Sequence, residues 1–268
     1  MARQRRVKRI LNCNPSRDTE RDWRLVHADE AGLLAAAPRA AAVPQTKDLR
    51  EDWWKIGDQG ATGSCVGWST ADGILRWHLV KAGRLQPNQR LSVRFEWMAS
   101  KETDDFVVMP TTFIEEAGTS IKNALDVSRR YGCVTDAILP FGTGKLYTGR
   151  VGTFYTLAAQ RRINSYYNLS LSAGHTLDQW KRWIASNGPI AVRLDVDPTW
   201  DNVGSDGNLD VYDSTSTRGG HAVLLVGYTP DRFIVRNSWG TVWGDRGFGY
   251  ASLAYAQDAF TEAYGAHA

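Results

Sequence analysis

Asp58-Gln59-Gly60-Ala61-Thr62-Gly63-Ser64-Cys65-Val66-Gly67-Trp68-Ser69 sets one cysteine behind two glycines and a serine, at the head of a long apolar segment. From Val66 to Val80, the residues Val66, Trp68, Ala71, Ile74, Leu75, Trp77, Leu79 and Val80 cover most of a helical wheel. Such a segment predicts a helix buried nearly all round, with Gly83 suited to its C-terminal cap. Cys65 then sits in the first turn, where unpaired backbone N–H groups and the positive end of the helix dipole favour a thiolate. A free cysteine is most often just a small buried apolar residue. The far end of the chain weighs against that here. Gly219-Gly220-His221-Ala222-Val223 opens one strand-like run, and Arg236-Asn237-Ser238-Trp239-Gly240 closes the next. Cys, His and Asn far apart in sequence, with Gln59 six residues before the cysteine, form one coherent set for nucleophilic acyl transfer.

The chain has 268 residues, enough to bury a large core in one or two domains. Eleven tryptophans and 43% hydrophobic residues exclude a disordered polymer. No run approaches the roughly eighteen apolar residues of a membrane span, so no membrane partner is expected. The start, Met1-Ala2-Arg3-Gln4-Arg5-Arg6-Val7-Lys8-Arg9, is basic but leads into Ile10-Leu11-Asn12-Cys13 and a charged stretch. The apolar region of a signal peptide is missing. Setting aside Arg3, Arg5, Arg6, Lys8 and Arg9 takes the net charge from +3 to −2. The body is therefore not expected to bind nucleic acid by charge, and the tail reads as a solvated terminus or, less often, a contact with an acidic partner. No Cys-x-x-Cys or His-x-x-x-His spacing occurs, so neither a metal nor a cofactor is expected. Asp195, Asp197 and Asp201 lack the calcium-loop pattern and read as solvated loop charges.

Residues 1–46 lack the sustained periodicity of a domain. Trp23, Leu25 and Val26 are isolated anchors, followed by alanine-rich segments that Pro38 and Pro44 interrupt. Two readings stay open, a flexible leader or an arm packed across the body through Trp23. After the cysteine helix, Leu91 to Met98 predicts a shorter helix, and the polar Lys101 to Asp105 a loop. Ser120 can cap a helix through Tyr131 that turns Ile121, Ala124, Leu125 and Ser128 to one face, with Gly132 ending it. Beyond residue 150 one helix is expected, where Thr176 and Gln179 have capping-box spacing and Asn187-Gly188-Pro189 supplies the stop. Ile190, Val192, Leu194 and Val196 then alternate at strand period. Val223 to Tyr228 and Phe233 to Val235 predict a hairpin, and Phe248 to Leu253 another strand.

These residues resemble the papain-like cysteine peptidase family. The resemblance rests on D-Q-G-x-x-G-S-C (Asp58 to Cys65), G-H-A-V-x-x-V-G-Y (Gly220 to Tyr228) and N-S-W-G-x-x-W-G-x-x-G (Asn237 to Gly247). Gly118 to Tyr131, then Gly132 and Pro140-Phe141, are similar to the family's second helix and the turn after it. Lys47-Asp48-Leu49-Arg50 resembles the mature start. The likeness implies an α+β, papain-like two-lobed fold, with a helical left lobe, an antiparallel β-barrel-like right lobe and the active-site cleft between them. It divides the chain into a leader (1–46), a helical lobe carrying the nucleophile (47–150) and a β-rich lobe carrying His and Asn (151–268). Thr62 stands where family members often carry a disulfide-forming cysteine. Secreted relatives rely on several bridges, and Cys13, Cys65 and Cys133 can make at most one, so a reducing cytoplasm is expected.

The resemblance implies a cysteine endopeptidase acting on proteins or peptides, with Cys65 as nucleophile and His221 as proton carrier. As a thiolate–imidazolium pair each would favour the other's charged form. Asn237 would orient the imidazole, Trp239 would cover the His–Asn bond, and Gln59 with the Cys65 amide would hold the oxyanion. Gly63, Ser64, Gly118, Thr119, Gly220 and Trp239 are the implied substrate-binding positions. Val66 replaces the aromatic that usually follows the nucleophile, and Thr119 departs from a glycine-rich wall; both bear on substrate preference. Other readings are a thiol-dependent acyl transferase or amidase, and a catalytically silent peptide-binding scaffold. His78 lies on the core-like helix, and His27, His175 and His267 fall outside the motifs. Residues 10–45, at about 3.3 Å per extended residue, are long enough to reach the cleft, with Trp23 the expected anchor.

Overall fold

The computed structural model describes residues 8–34, 43–142, 144 and 146–268. Most of the alanine-rich stretch and Pro38 lie outside those residues. Over its described residues the leader is an arm packed on the body. It runs through a 3-10 turn at Thr19–Arg21 and helix α1 (Leu25–Glu30) before β1 (Lys47–Asp48). Leu25, Ala28 and Leu34 are buried against the body, whereas Trp23, the expected anchor, is 51% exposed and only leans on Tyr167. The charge next to it does the holding. The Asp22 carboxylate bonds the Lys122 ammonium at 3.0 Å and accepts from the Tyr264 hydroxyl at 2.9 Å and the Asn168 amide at 3.2 Å.

The apolar run after Cys65 starts as α2 (Cys65–Gly67), widens into a π-helical stretch over Trp68–Leu75 and returns as α3 (Arg76–Lys81). Every residue from Gly63 to Arg76 is buried, as the wheel predicts. The widening has local causes. The Ser69 and Thr70 hydroxyls both donate to the Val66 carbonyl, at 3.0 and 2.7 Å, which bends a helix. Gly73 leaves helical dihedrals, and a Cβ there would press on Leu224. Gly83 ends the run at φ +69°.

Helix α4 (Val93–Glu102) begins later than Leu91 because the Ser92 hydroxyl accepts from the Phe95 amide at 3.0 Å. It also runs into the expected loop. Lys101 lays its stem along the helix, with its ammonium 4.4 Å from the Trp97 ring centroid and bonded to the Ile114 carbonyl. Helix α5 (Ile121–Arg130) is capped by Ser120 on the Asn123 amide at 3.2 Å. Four α-helices, not one, lie beyond residue 150, besides a 3-10 turn at Leu171–Ala173. Helix α6 (Val151–Ala159) has no side-chain cap and buries only Ala158, so neither usual sequence signal marks it. After β2 (Ser165–Asn168) comes α7 (Leu177–Ser186), whose Thr176–Gln179 capping box forms as expected. Then follow β3 (Ile190–Asp195), α8 (Thr199–Asn202), β4 (Asn208–Leu209), β5 (Gly220–Tyr228), β6 (Arg232–Arg236), β7 (Phe248–Ser252), α9 (Leu253–Ala259) and β8 (Phe260–His267).

The strands form one sheet in the order β2-β8-β3-β5-β6-β7-β4, with β1 also on β5. Its pairs are antiparallel except the short β4–β7 pair. The central strands β3 and β5 are buried on both faces, and this accounts for their lack of a simple in–out alternation. Ala222, Leu224 and Val226 pack with Cys65, Ala71 and Ile74 on the helical side. Val223 and Leu225 pack with Trp180 and Trp183 on the other. Lys47–Asp48 thus joins the sheet, while Ala158 and Ile163 pack with the helical core. Asp197 is a correction. It is fully buried, accepting from the Thr199 hydroxyl at 2.6 Å, the Tyr255 hydroxyl at 3.0 Å and the Asp213 amide at 3.1 Å. Asp195 and Asp201 pair with Arg193 and Arg218. Among the described residues no helix is long and apolar enough to cross a membrane.

One buried ion cluster crosses between the helical run and the sheet. The Asp72 carboxylate, fully buried, bonds Arg76 at 2.8 Å and Arg236 of β6 at 2.9 Å. Removing its charge would leave two guanidiniums in the interior, and breaking such a cluster typically costs about 3–5 kcal/mol. Asp72→Asn is therefore expected to lower the urea midpoint by that much stability without changing the slope. A midpoint equal to that of the original chain would mean the arginines are compensated elsewhere.

Candidate active site

Three separate pieces of backbone bring the motif residues together. Cys65 stands at the head of α2, behind a loop that is itself paired to the far motif. The Gln59 amide donates to the Ser238 carbonyl at 2.8 Å, and the Gly240 amide to the Gly57 carbonyl at 3.0 Å. His221 is the second residue of β5, and Asn237 follows the last residue of β6, the adjacent antiparallel strand. The imidazole Nε2 lies 2.8 Å from the Asn237 Oδ1, so it donates there and leaves Nδ1 for Cys65. Asn237 Oδ1 also accepts from the Ser238 amide at 2.7 Å, which fixes the orientation of the side chain.

Aromatic rings close over this pair. The Trp239 ring centroid is 4.9 Å from that of His221. Trp200, on the single turn of α8, meets His221 edge-on at 5.6 Å and stacks on Trp243 at 5.0 Å. Excluding water there strengthens the His–Asn bond. No motif pointed to Trp200; its nitrogen is tied to the Tyr255 hydroxyl at 2.7 Å, a partner 55 positions away that only folding supplies.

Gln59 is held in one orientation. Its Oε1 accepts from the Ser238 hydroxyl at 2.9 Å, which turns Nε2 toward the Thr62 carbonyl at 2.9 Å and the Ile10 carbonyl at 3.4 Å. The second of these belongs to the arm, which fills the cleft. The Cys13 amide donates to the Gly220 carbonyl at 2.9 Å, and the Asn14 amide to the Thr119 carbonyl at 3.0 Å. Arg193 donates from Nε to the Cys13 carbonyl at 2.9 Å. Arg9 pairs with the Asp58 carboxylate, donates to the Trp239 carbonyl at 2.9 Å and lies 5.8 Å from that tryptophan's ring centroid. Of the implied substrate-binding positions, Gly118, Thr119, Gly220 and Trp239 all touch the arm. A Cβ at Gly118 would fall on the Asn12 carbonyl, and one at Gly220 on the Cys13 carbonyl. Gly63 and Ser64 instead lie under the surface. Gly63 sits tight against the Glu116 and Ala117 carbonyls, and the Ser64 hydroxyl is 2.7 Å from that of Thr62. Arg193 and Arg9 were missed from sequence, since neither belongs to a motif.

The electrostatics single out one thiol. Cys65 is held well below the ordinary cysteine value, first by a hydrogen bond from the Cys13 thiol and then by His221 and the Ala222 amide, against the effect of burial. Burial pushes Cys133 up, and the neighbouring Glu96 carboxylate adds to the effect. His78 is pushed down to about 3 by burial, a neutral core histidine. A groove of about 1070 Å³ runs beside the arm, lined by Ile10, Leu11, Trp200, Trp239 and Trp243 among others.

The comparisons with known proteins agree with this geometry. The chain is 27% identical to a cathepsin L-like proteinase of Fasciola hepatica over 216 residues, 77% of this chain and 60% of that protein. It is 27% identical to a cathepsin B-like protein of Giardia intestinalis over 235 residues, 82% of this chain and 73% of that one. The chain spans only 60–63% of the length of three of the curated relatives it matches. Among solved structures it is similar to xylellain, a cysteine protease from Xylella fastidiosa, with a TM-score of 0.77 at 21% identity over 100% of this chain and 99% of that one. It is also similar to a procathepsin B from Trypanosoma congolense, at 0.68 and 18%, over 96% and 86%. Both likenesses establish the fold. The family model described as papain family cysteine protease matches residues 43–261, and with most of its length inside that match the chain belongs to the papain family of cysteine proteases.

Proposed function

We propose that the chain is a cysteine endopeptidase that cleaves peptide bonds of proteins or peptides through an acyl-enzyme. One observation carries the reading: His221 Nε2 is committed to Asn237 at 2.8 Å, its buried Nδ1 has no other partner, and the imidazole helps to lower the Cys65 thiol. In this reading the Cys65 thiolate adds to the scissile carbonyl carbon. The carbonyl oxygen takes the negative charge and is held by the Gln59 side-chain amide and the Cys65 backbone N–H. The C–N bond breaks as His221 protonates the leaving amine. Water, deprotonated by His221, then displaces the thiolate and releases the acid. Val66 and Thr119 would shape the subsites on either side.

The arm must leave before a substrate binds, since it holds the same backbone groups. Its Cys13 carbonyl accepts from Arg193 Nε at 2.9 Å, so the arm is held as an occupant of the cleft. The similar trypanosome protein is a procathepsin, a proform, which supports reading the arm as an inhibitory segment. The division into an arm to residue 46, a lobe carrying the nucleophile to 150 and a lobe carrying His and Asn belongs to the same proposal. The three cysteines, all free thiols, support a reducing cytoplasm as its site of action.

The direct test is incubation with a diverse peptide library, with cleavage sites read by mass spectrometry. Cys65→Ala is expected to abolish cleavage and keep the fold, and His221→Ala to lower the rate by several orders of magnitude. Asn237→Ala should leave measurable activity. Gln59→Ala should cost roughly 10²–10³ in kcat, the usual scale for one oxyanion donor. Wild-type cleavage by Cys65→Ala would overturn the reading.

Two reactivity experiments address the site without turnover. Because the Cys65 pKa is lowered from 9.0, its thiolate persists as pH falls below 9. Alkylation by a small reagent should stay nearly constant over that range. A rate that drops in step with pH from 9 downward would remove the thiolate. Deleting residues 1–14 spares the buried Leu25 and Ala28 and should speed labelling of Cys65 by a bulky probe far more than by a small one. Equal labelling by the bulky probe before and after deletion would mean the arm does not block the cleft.

A further inference from the structure

Blocking a cleft needs backbone and bulk, and the arm supplies both. It does not need a thiol, yet the residue it sets against Cys65 is a cysteine. Cys13 is 2% exposed and Cys65 0%, and both belong to the same packed core. The Cys13 backbone is fixed on both of its polar groups, N–H to Gly220 and carbonyl to Arg193, and the next amide is fixed to Thr119. So anchored in the cleft, Cys13 lies beside the nucleophile, close enough that each thiol shifts the other's ionisation. A serine or alanine would keep every backbone bond and lose only this contact. We propose that Cys13 and Cys65 are the two halves of a reversible disulfide, formed by reaction with a hydroperoxide, that ties the arm covalently into the cleft.

The chemistry balances with one equivalent of hydrogen peroxide. The Cys65 thiolate attacks a peroxide oxygen, the O–O bond breaks and the departing hydroxide leaves as water after taking a proton. Cys65 is now a sulfenic acid. The Cys13 sulfur attacks the Cys65 sulfur, the S–O bond breaks and a second water leaves with the Cys13 proton. Two thiols and one peroxide become one disulfide and two waters. A dithiol reverses it by exchange and becomes the oxidised partner.

The surroundings suit both steps. Cys65, held down, is the thiolate that meets the oxidant, while burial and then the adjacent Cys65 keep Cys13 a thiol. Oxidising Cys65 removes that negative charge. Burial and the Glu262 carboxylate still hold Cys13 up, while the Arg193 guanidinium favours the thiolate needed for the second step. Cys133 is no competitor, because its thiol is in the helical core, on the Ser92 and Val134 carbonyls. The bond would also protect the nucleophile, since a sulfenic acid with a resolving thiol in contact closes to a disulfide before it takes up more oxygen.

The disulfide rests on the proposed function only for what it switches off; its formation needs no turnover. The reduced full chain is treated with hydrogen peroxide, quenched in acid, alkylated, digested without reduction and mapped by mass spectrometry. The intact mass should fall by two hydrogens. The Cys13 and Cys65 peptides should be replaced by one linked species, and Cys133 should remain alkylated. Dithiothreitol should return both thiols. In Cys13→Ser, Cys65 should instead take up oxygen and lose its dithiothreitol-reversible fraction. Oxygen uptake at Cys65 without a linked peptide in the original chain would overturn the inference, and that measurement stands even if the serine variant fails to fold. A linked peptide in a chain that cleaves nothing even when reduced and freed of residues 1–14 would uphold the disulfide and overturn the peptidase reading instead.

Discussion

The Asp72 carboxylate, held between Arg76 and Arg236, is the contact on which the relative position of the two halves of the site depends. Asp72 lies seven residues after Cys65 on one continuous helical run, and Arg236 immediately precedes Asn237. The pair therefore sets the distance between the element that carries the sulfur and the element that orients the imidazole. Burying three charges is expensive, and their mutual attraction in a low dielectric offsets that only when the geometry is good. Several further donors are used as well, although Nε of both Arg76 and Arg236 is buried without a partner. Arg236 reaches the Lys55 carbonyl at 2.9 Å and lies over the Trp54 ring, while Trp54 donates to the Asp72 carbonyl at 2.6 Å.

Around that cluster the structure is two apolar cores sharing one sheet. The strands β3 and β5 have no solvent face, so each residue packs either toward the cysteine helix or toward α7 and α9. A polar residue in such a strand has to find a partner. Arg193 finds its own in Asp195 and in the Cys13 carbonyl of the arm. The arm is thus bound by groups that the interior would otherwise leave unpaired, and this explains why so short a segment is held without a large hydrophobic anchor. Trp23 is dispensable to that logic, and Asp22 with Arg9 is not.

The same economy links reactivity to restraint. The features that hold Cys65 as a thiolate are a neighbouring thiol from the arm, the imidazole and a backbone amide. One of these leaves with the arm and two remain. The proposed disulfide and the proposed acyl transfer therefore draw on one sulfur, in two arrangements of the same cleft.

Much of this was written locally in the chain. The cysteine helix, the Ser120 cap, the Thr176–Gln179 box and the β5–β6 hairpin each depend on residues within a few positions of one another, so periodicity and capping chemistry determined them. The three motifs that carry Cys65, His221, Asn237 and Gln59 were legible for the same reason. Other features had no local signature. Helix α6 lacks a cap and fully buries only Ala158, and β8 is buried continuously from Ala263 to Ala266 and shows no alternation there. Asp197 looked like a loop charge until Thr199, Tyr255 and Asp213 surrounded it, and Trp200 joined the site through Tyr255 and Trp243. Only the tertiary structure decided that Cys13 would meet Cys65 and that Trp23 would stay at the surface. Those outcomes depend on which backbone groups are left unpaired after the sheet closes, a property of the assembled core that no window of sequence contains.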